Sequence, residues 1–592
     1  MKKIILYISL LFSVIAFAQN EQLAQNYFDK GEFEKALTQY EELFRAQPNN
    51  STYFQKIILS CQQLQHYDKA EKLIQERYEK YKLPNLLVEL GYNFQLRNNP
   101  SKAQQYYDKA IEGIRENPSA VYGVANAFET KVLLENALKS YNLGTTLNPK
   151  MNFDYQKALL YGQLGDTGKM IDMFLDYAYS NPGNSGIVQN QLARFIGDDV
   201  DGVFSASLRK ALLLKVQKDQ DIFWNEYLSW FFVQQKDYGK AFIQEKAIYK
   251  RNPENFYNIV NLGELAKEEE ETETAKEILT FVLENTQDTD LQIRAHQFLM
   301  KMKIDKATAK DNPAIQAEME LLLKKYGISP YSIALQELYA HFLTFNLNKP
   351  EEGKNVLKKA LELQLNKYQS AEIKMELADI LLYEQKYNQA LIYYSQIEND
   401  LKNDAVGHEA SLKVAKTSYF KGDFDWALKQ LKELKSSSSQ LIANDALELY
   451  LLINDNTKAD STQTALKKFA KADYLLYQNK QKEALVQFQS ILTEDKGNAI
   501  EDAVLLKMGG IYEKLGDYTS ALNQYQSIMS NHAEGIYIDE ALFFAAEIYN
   551  KQLKDPEKAK PLYEKILFNH PDSIYFIESR TKFRQLRGDT NL

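Results

Sequence analysis

The stretch LGDYTSALNQYQSI, Leu515 to Ile528, has three near-copies in the same chain: KGEFEKALTQYEEL from Lys30, QKDYGKAFIQEKAI from Gln235 and KGDFDWALKQLKEL from Lys421. Nearly every charge changes between copies, while a glycine or lysine, an aromatic, an alanine and the later apolar residues are kept. Ala521, Leu522, Tyr525 and Ile528 fall at helical spacing with Gln and Ser on the other face, so each copy predicts an amphipathic helix. Upstream of the copies lie further helical patterns, such as NLLVELGYNFQLR from Asn85 and FYNIVNLGELAKE from Phe256, joined on by short turns holding Gly or Asn-Asn. The predicted unit is a helical hairpin.

Two helices approach closely only where a small residue admits the neighbouring backbone. Gly91, Ala125, Ala158, Gly263, Ala378, Ala415, Gly509 and Ala546 supply that residue on first helices. On second helices the anchors are Ala36, Ala70, Ala103, Ala137, Met170, Ala241, Ala275, Gly353, Ala390, Ala427, Ala484, Ala521 and Ala559. The aromatic ahead of the alanine (Phe33, Tyr67, Tyr238, Tyr387, Phe424, Tyr518) is expected to fill the gap at the turn, and prolines such as Pro48, Pro118, Pro149, Pro182, Pro253 and Pro571 stop the hairpins.

From Ala36 to Met170 the anchors are 34, 33, 34 and 33 residues apart, and Ala241 to Ala275 is again 34. In this the chain resembles a tetratricopeptide-repeat protein. The resemblance implies an all-α, tetratricopeptide-type helical-hairpin solenoid, a right-handed superhelix, covering nearly all of the chain after its first residues. Met170 and Gly353 are unusual anchors. The gap from Met170 to Ala241 asks for a degenerate hairpin between Ser185 and Lys218, and another fits Leu291 to Tyr326. From Gly353 the spacings become 37, 37, 57, 37 and 38, where 57 suggests an extra single helix near Leu441 to Ile453. Two subdomains are therefore expected, residues 19–330 on the 33/34 period and 331–592 on the 37/38 period, divided near Gly327-Ile328-Ser329-Pro330, with Ser436 to Ser439 as a flexible insertion. The linkers SNHAEGIYIDEALFFAAEIY and FNHPDSIYFIESRTKFRQLRG resemble those of envelope tetratricopeptide proteins of outer-membrane assembly and division.

The first residues, MKKIILYISLLFSVIAFAQ, place Lys2 and Lys3 before an apolar run from Ile4 to Phe17 and a small-residue site at Ala16-Phe17-Ala18. Residues 1–18 are thus read as an export signal, with a mature protein that is periplasmic or, alternatively, extracellular and has no transmembrane segment. Cys61, the one cysteine of 592 residues, lies inside a helical pattern, so neither an internal disulfide nor a lipid-bearing cysteine at the cleavage site is expected. A net charge of -9 argues against nucleic acid, which demands clustered cations.

Chemistry-bearing motifs are scarce. His66, His296, His341, His408, His532 and His570 are scattered without a His-x-x-x-His pair, so no metal is expected. GQLGDTGKM from Gly162 imitates a phosphate loop but has five residues between Gly162 and Gly168, Met170 where Ser or Thr would hold magnesium, and no preceding strand. Glu268 to Glu271 are consecutive on a helix and point about 100° apart, so they read as a solvated face. GNSG at Gly183 lacks nucleophile-elbow spacing. Arg580, Lys582, Arg584 and Arg587 read as the polar face of a capping helix, with docking to an acidic partner or anionic lipid as the other reading. No catalytic residue and no cofactor is assigned.

The resemblance implies binding along a concave wall of first helices, and it places Tyr92, Tyr122, Asn126, Tyr155, Trp230, Tyr257 and Glu264 there. IFWNEYLSWFF from Ile222 adds Phe223, since its rings cover more of a helix than one buried stripe needs, and some are expected to be exposed, the other reading being a helix buried all round by its degenerate neighbour. The family's clamp for chaperone tails uses lysine and asparagine one turn apart, of which Tyr122 and Asn126 supply only the asparagine. The function expected is a non-enzymatic protein–protein interaction scaffold of the bacterial cell envelope, holding a partner protein or peptide in the groove with peripheral contact to an outer-membrane complex. The alternative is an accessory or chaperone in outer-membrane protein assembly or secretion.

Overall fold

The computed structural model describes residues 20–199, 202–253, 256–434, 440–459 and 462–588. The expected export signal (1–18) and the serine run at 436–439 lie outside the described residues. The described residues form helices joined by turns, mostly in antiparallel neighbours such as Asn85–Leu96 with Pro100–Glu116 and Glu501–Lys514 with Tyr518–Asn531.

The turn chemistry explains the recurring motif. Five residues before each of the thirteen anchors the backbone has positive φ: Gly31, Gln65, Asn98, Val132, Gly165, Lys236, Glu270, Asn348, Gln385, Gly422, Asn479, Gly516 and Lys554. A left-handed residue there turns the chain so that the second helix starts against the first. Glycine adopts it freely; the other residues at this position are exposed, and the turn is closed by backbone bonds such as Leu133 N–H to the Phe128 carbonyl and Asp237 N–H to that of Phe232, both at 2.9 Å. Where the next residue is Asp166, Asp237, Asp517 or Asp555 it caps the new helix, its carboxylate accepting a backbone N–H three residues on, a contribution of about 1 kcal/mol per cap. The aromatic that follows is buried in Tyr238 and Phe424 and half-buried in Phe33, Tyr67, Tyr387 and Tyr518.

Packing between the two helices is tightest at the small residues. A Cβ on Gly91 would lie 2.4 Å from Tyr107 Cε1, and one on Gly509 2.4 Å from Tyr525 Cε1. Ala125, Ala158, Ala378, Ala415 and Ala546 are fully buried at the corresponding places. The ring received by Gly91 and Gly509 comes from four residues past the anchor, and its hydroxyl ties back to the first helix. Tyr107 donates to Gln95 Oε1 at 2.8 Å, Tyr141 to Glu129 Oε1 at 2.7 Å and Tyr394 to Asp379 Oδ1 at 2.5 Å. Tyr40, Tyr525 and Tyr563 do the same to Gln25, Glu513 and Glu547.

Both unusual anchors have compensating partners. Met170 is buried, and its sulfur occupies the space a Cβ on Gly162 would enter at 2.6 Å. The glycine of the false phosphate loop therefore makes room for a large anchor. At Gly353 a Cβ would lie 2.7 Å from Thr344 Oγ1 and 2.8 Å from the Ala340 carbonyl, because the preceding helix ends in a π-helical turn, Phe342–Asn346, that bulges toward it.

The degenerate hairpins are Ser185–Gly197 with Val203–Lys218, and Thr289–Asp305 with Asn312–Tyr326; the extra helix is Gln440–Ala459. By its internal contacts the chain divides into two compact units, residues 1–199 with 203–214, and residues 200–202 with 215–592. The first unit has a continuous core from Ala24 to Leu160. The division expected near residue 330 from the change of period lies within the second unit, where Ile315, Met319 and Leu322 share a cluster with Leu335, Tyr339 and Phe342.

Candidate partner-binding site

In the first unit Tyr122 is 52% exposed, packing edge-on against Phe153 at 5.0 Å, and Asn126 is exposed one turn further along the same helix, Val121–Thr130. Tyr92 is half-buried under the Lys131 ammonium, 4.7 Å from its ring centre, and that lysine also pairs with Glu89 at 3.1 Å. Tyr155 is half-buried against Phe174 and Tyr177, both at 5.5 Å.

In the second unit the aromatic run is more buried than its composition predicts. Trp224, Tyr227, Phe231 and Phe232 are buried, and Phe223 and Trp230 are half-buried, so the expectation that rings of this run are exposed is corrected. The rings cover one another: Phe223 lies 4.8 Å from Tyr227, which lies 6.0 Å from Trp230. Tyr257 is 49% exposed, and Glu264 is engaged by Arg294 at 2.6 Å.

A site that no sequence motif marks lies further along the second unit, a cavity of about 1000 Å³. Four first helices wall it: Lys367–Tyr383 through Asp379 and Leu382, Ala405–Lys421 through Glu409, Leu412, Lys413 and Lys416, Thr464–Tyr477 through Asp473 and Leu476, and Glu501–Lys514 through Leu506 and Lys507. The extra helix Gln440–Ala459 adds Asp445, Glu448, Leu449 and Leu452. The sequence signal was the 57-residue spacing, which located the helix but not the wall it makes.

The polar groups here are networked. Lys413 Nζ lies 2.6 Å from Asp379 Oδ2, and the other Asp379 oxygen takes the Tyr394 hydroxyl. Burial works against the charge on Lys413, yet Asp379 and Glu409 pull its pKa above the ordinary lysine value. Burial raises the Asp473 carboxyl, opposed by Lys507 and Lys416. Burial, then the Asp473 charge, raises the Tyr419 phenol. Close to Asp379, the buried Glu376 carboxylate meets His341 Nδ1 at 3.1 Å; burial raises Glu376, and the contact lifts His341 against its own burial. Carboxylates and ammoniums held this way can position a charged or polar group. Among the described residues no group of His, Cys, Asp and Glu is placed to hold a metal ion, and no helix is long and apolar enough to cross a membrane. Cys61 is buried, and burial pushes its thiol up to about 11, the inert form.

A family model described as Tetratricopeptide repeat matches residues 503–534 and 540–573, and a second of the same description matches 20–50. Curated proteins gave no match. Among solved structures, a Naa15/Naa10 complex bound to HypK-THB is 12% identical, covering 97% of this chain and 94% of that one with a TM-score of 0.28. The Cut9–Hcn1 hetero-tetramer of APC/C is 13% identical, covering 90% and 96%, with a TM-score of 0.23. Neither superposes closely enough to bear on arrangement or partner. The described residues are thus all-α, built of hairpins with a recurring turn, and tetratricopeptide repeats are shown at residues 20–50, 503–534 and 540–573.

Proposed function

We propose that this protein is a non-enzymatic interaction scaffold of the bacterial cell envelope, exported to the periplasm, that holds a partner protein or peptide against its first-helix walls. One observation carries the reading: the cavity of about 1000 Å³ is lined by side chains from four first helices and one inserted helix, the side of a hairpin array on which partners are bound. Its volume is at the upper end for small-molecule sites, so it suits a protruding segment of a larger partner. The make-up of residues 1–18 supports export, and the exposed Tyr122 and Asn126 offer a second contact surface in the first unit.

The test is a photo-crosslinking amino acid placed at Leu452 or at Tyr122 in the full chain, expressed in its own host and irradiated in cells. A discrete adduct with one protein, recovered in the periplasmic fraction, is the expected result. A smear of many weak clients would move the assignment to the assembly-chaperone reading. A protein retained in the cytosol, or no adduct from either position, would refute the proposal.

A further inference from the structure

The inserted helix Gln440–Ala459 changes what the first-helix wall offers. Asp445, Glu448, Leu449 and Leu452 recur at three- and four-residue spacing, so carboxylates and leucines share the face that lines the cavity. Five lining carboxylates (Asp379, Glu409, Asp445, Glu448, Asp473) stand against three lysines (Lys413, Lys416, Lys507). Lys413 is committed to Asp379 at 2.6 Å, while Lys416 reaches Asp445 only at 4.0 Å. Lys416 and Lys507 are near enough to Asp473 to favour its charge, but among the described residues neither forms an ion pair with it. Glu448 makes no hydrogen bond or ion pair among the described residues. Cavity carboxylates without an ion-pair partner are completed by a ligand that brings its own donors.

Resting on the reading of this cavity as the partner's seat, we infer that its occupant is a protruding partner segment carrying a lysine or arginine flanked by apolar residues. The ammonium or guanidinium is answered by Asp473 and Glu448, and its aliphatic stem and apolar neighbours lie on Leu412, Leu449, Leu476 and Phe420. Long cationic side chains suit such a wall because their stems are apolar and their heads need acceptors, and Phe420 and Tyr477 add ring faces that attract a cation.

The experiment uses the full chain and a synthetic library of N-acetylated random hexapeptides, selected on wild-type protein and on Glu448→Lys, an exposed position where folding is spared. The strongest peptides are then measured by fluorescence polarisation against wild type, Glu448→Lys and Glu409→Lys, with free spermidine as competitor. The inference requires enrichment of Lys or Arg between apolar residues, affinity about tenfold weaker in each charge-reversed variant, and a steep loss with salt. Acidic or uncharged winners that Leu452→Trp displaces would overturn the cationic assignment and leave the partner seat standing. Spermidine binding as tightly as the best peptide would overturn it in favour of a free polyamine. Absence of any selected peptide would overturn the inference and the seat together.

Discussion

Adjacent glycines on one helix should respond to alanine with opposite signs. In Glu501–Lys514, a Cβ on Gly509 would lie 2.4 Å from Tyr525 Cε1 and 2.7 Å from Cζ, whereas a Cβ on Gly510 meets nothing within 4 Å. Replacing a helix-interior glycine by alanine stabilises by about 1 kcal/mol when nothing else changes. At Gly510 nothing else does. At Gly509 the methyl group would have to displace a ring that is 1% exposed and whose hydroxyl is held by Glu513. Overpacking of this kind costs about 1–3 kcal/mol and a loosened hydrogen bond about 1 kcal/mol more, so the helix gain is outweighed and Gly509→Ala is destabilising by about 1–3 kcal/mol. A long repeat array does not unfold in one step, so the readout is native-state hydrogen exchange of peptides covering 501–531. Gly509→Ala should speed their exchange about five- to a hundredfold, and Gly510→Ala should slow it about fivefold, at a factor of ten per 1.4 kcal/mol. Equal effects at the two positions, or protection gained at Gly509, would refute the account of the small residue as a receptacle for the following ring.

Val132 is 76% exposed and holds φ at 58°, a conformation costing a β-branched residue about 1–2 kcal/mol, so Val132→Gly should raise protection of the flanking helices. The two tyrosine bridges should differ: Tyr141→Phe strands the Glu129 carboxylate and should cost about 1.5–3 kcal/mol, while Tyr107→Phe loses a neutral bond to Gln95 and should cost about 1 kcal/mol, both read by local exchange. Glu540 has its pKa pushed from 4.5 to about 8, first by burial and then by the neighbouring Asp539, with Glu448 also facing it. A folded-state pKa above the unfolded one gives stability that is full below about pH 4.5 and is lost as pH rises through about 8. The apparent melting temperature should therefore fall between pH 5 and pH 8, and Glu540→Gln should remove that fall, worth about 1–2 kcal/mol after solvent screening. Gly162→Ala must displace the Met170 sulfur, and with the helix gain of about 1 kcal/mol set against that overpacking the net cost should be about 0–2 kcal/mol; pairing it with Met170→Ala should recover part of the overpacking, measured as a double-mutant cycle.

The hairpins, both degenerate pairs and the inserted helix were legible because each is written in local spacing: apolar residues at helical intervals and anchors at a near-constant period. The turn was only half legible. Glycine at positions 31, 165, 422 and 516 announces a left-handed residue, but Lys236, Glu270 or Lys554 does so only after the offset from the anchor is known. Burial of the aromatic run was one of two readings its composition allowed, and the choice depends on which rings stack on which: Phe223, Tyr227 and Trp230 satisfy one another along a single helix. The cavity was illegible for a related reason. Asp379, Asp473 and Glu448 are separated by long stretches of chain, and each alone looks like a solvated charge on an amphipathic helix.

What shapes that cavity is a departure from nearest-neighbour stacking. In a simple array each helix meets only adjacent hairpins, and a local change stays local. Here Tyr474 donates to the carbonyls of Leu382 and Tyr383, both at 2.8 Å, Tyr477 to that of Asp379 at 2.8 Å, and Gln478 to that of Tyr383 at 2.7 Å. These bonds join parts of the chain 91 to 98 residues apart. They fasten the first helices Lys367–Tyr383 and Thr464–Tyr477 directly together across the helices between them, Gln440–Ala459 included, which is how an extra helix can wall a space instead of lengthening the stack. Because Asp379, Leu382 and Tyr477 both line the cavity and flank or form these bonds, its walls are fixed before a partner arrives, and ordering them on binding costs little. Tyr474→Phe with Gln478→Leu should therefore speed exchange in 367–383 as well as in 464–477, and weaken a cavity ligand without touching a lining charge. Exchange confined to 464–477 would show that the array transmits nothing across the loop and that the wall is held by neighbours alone.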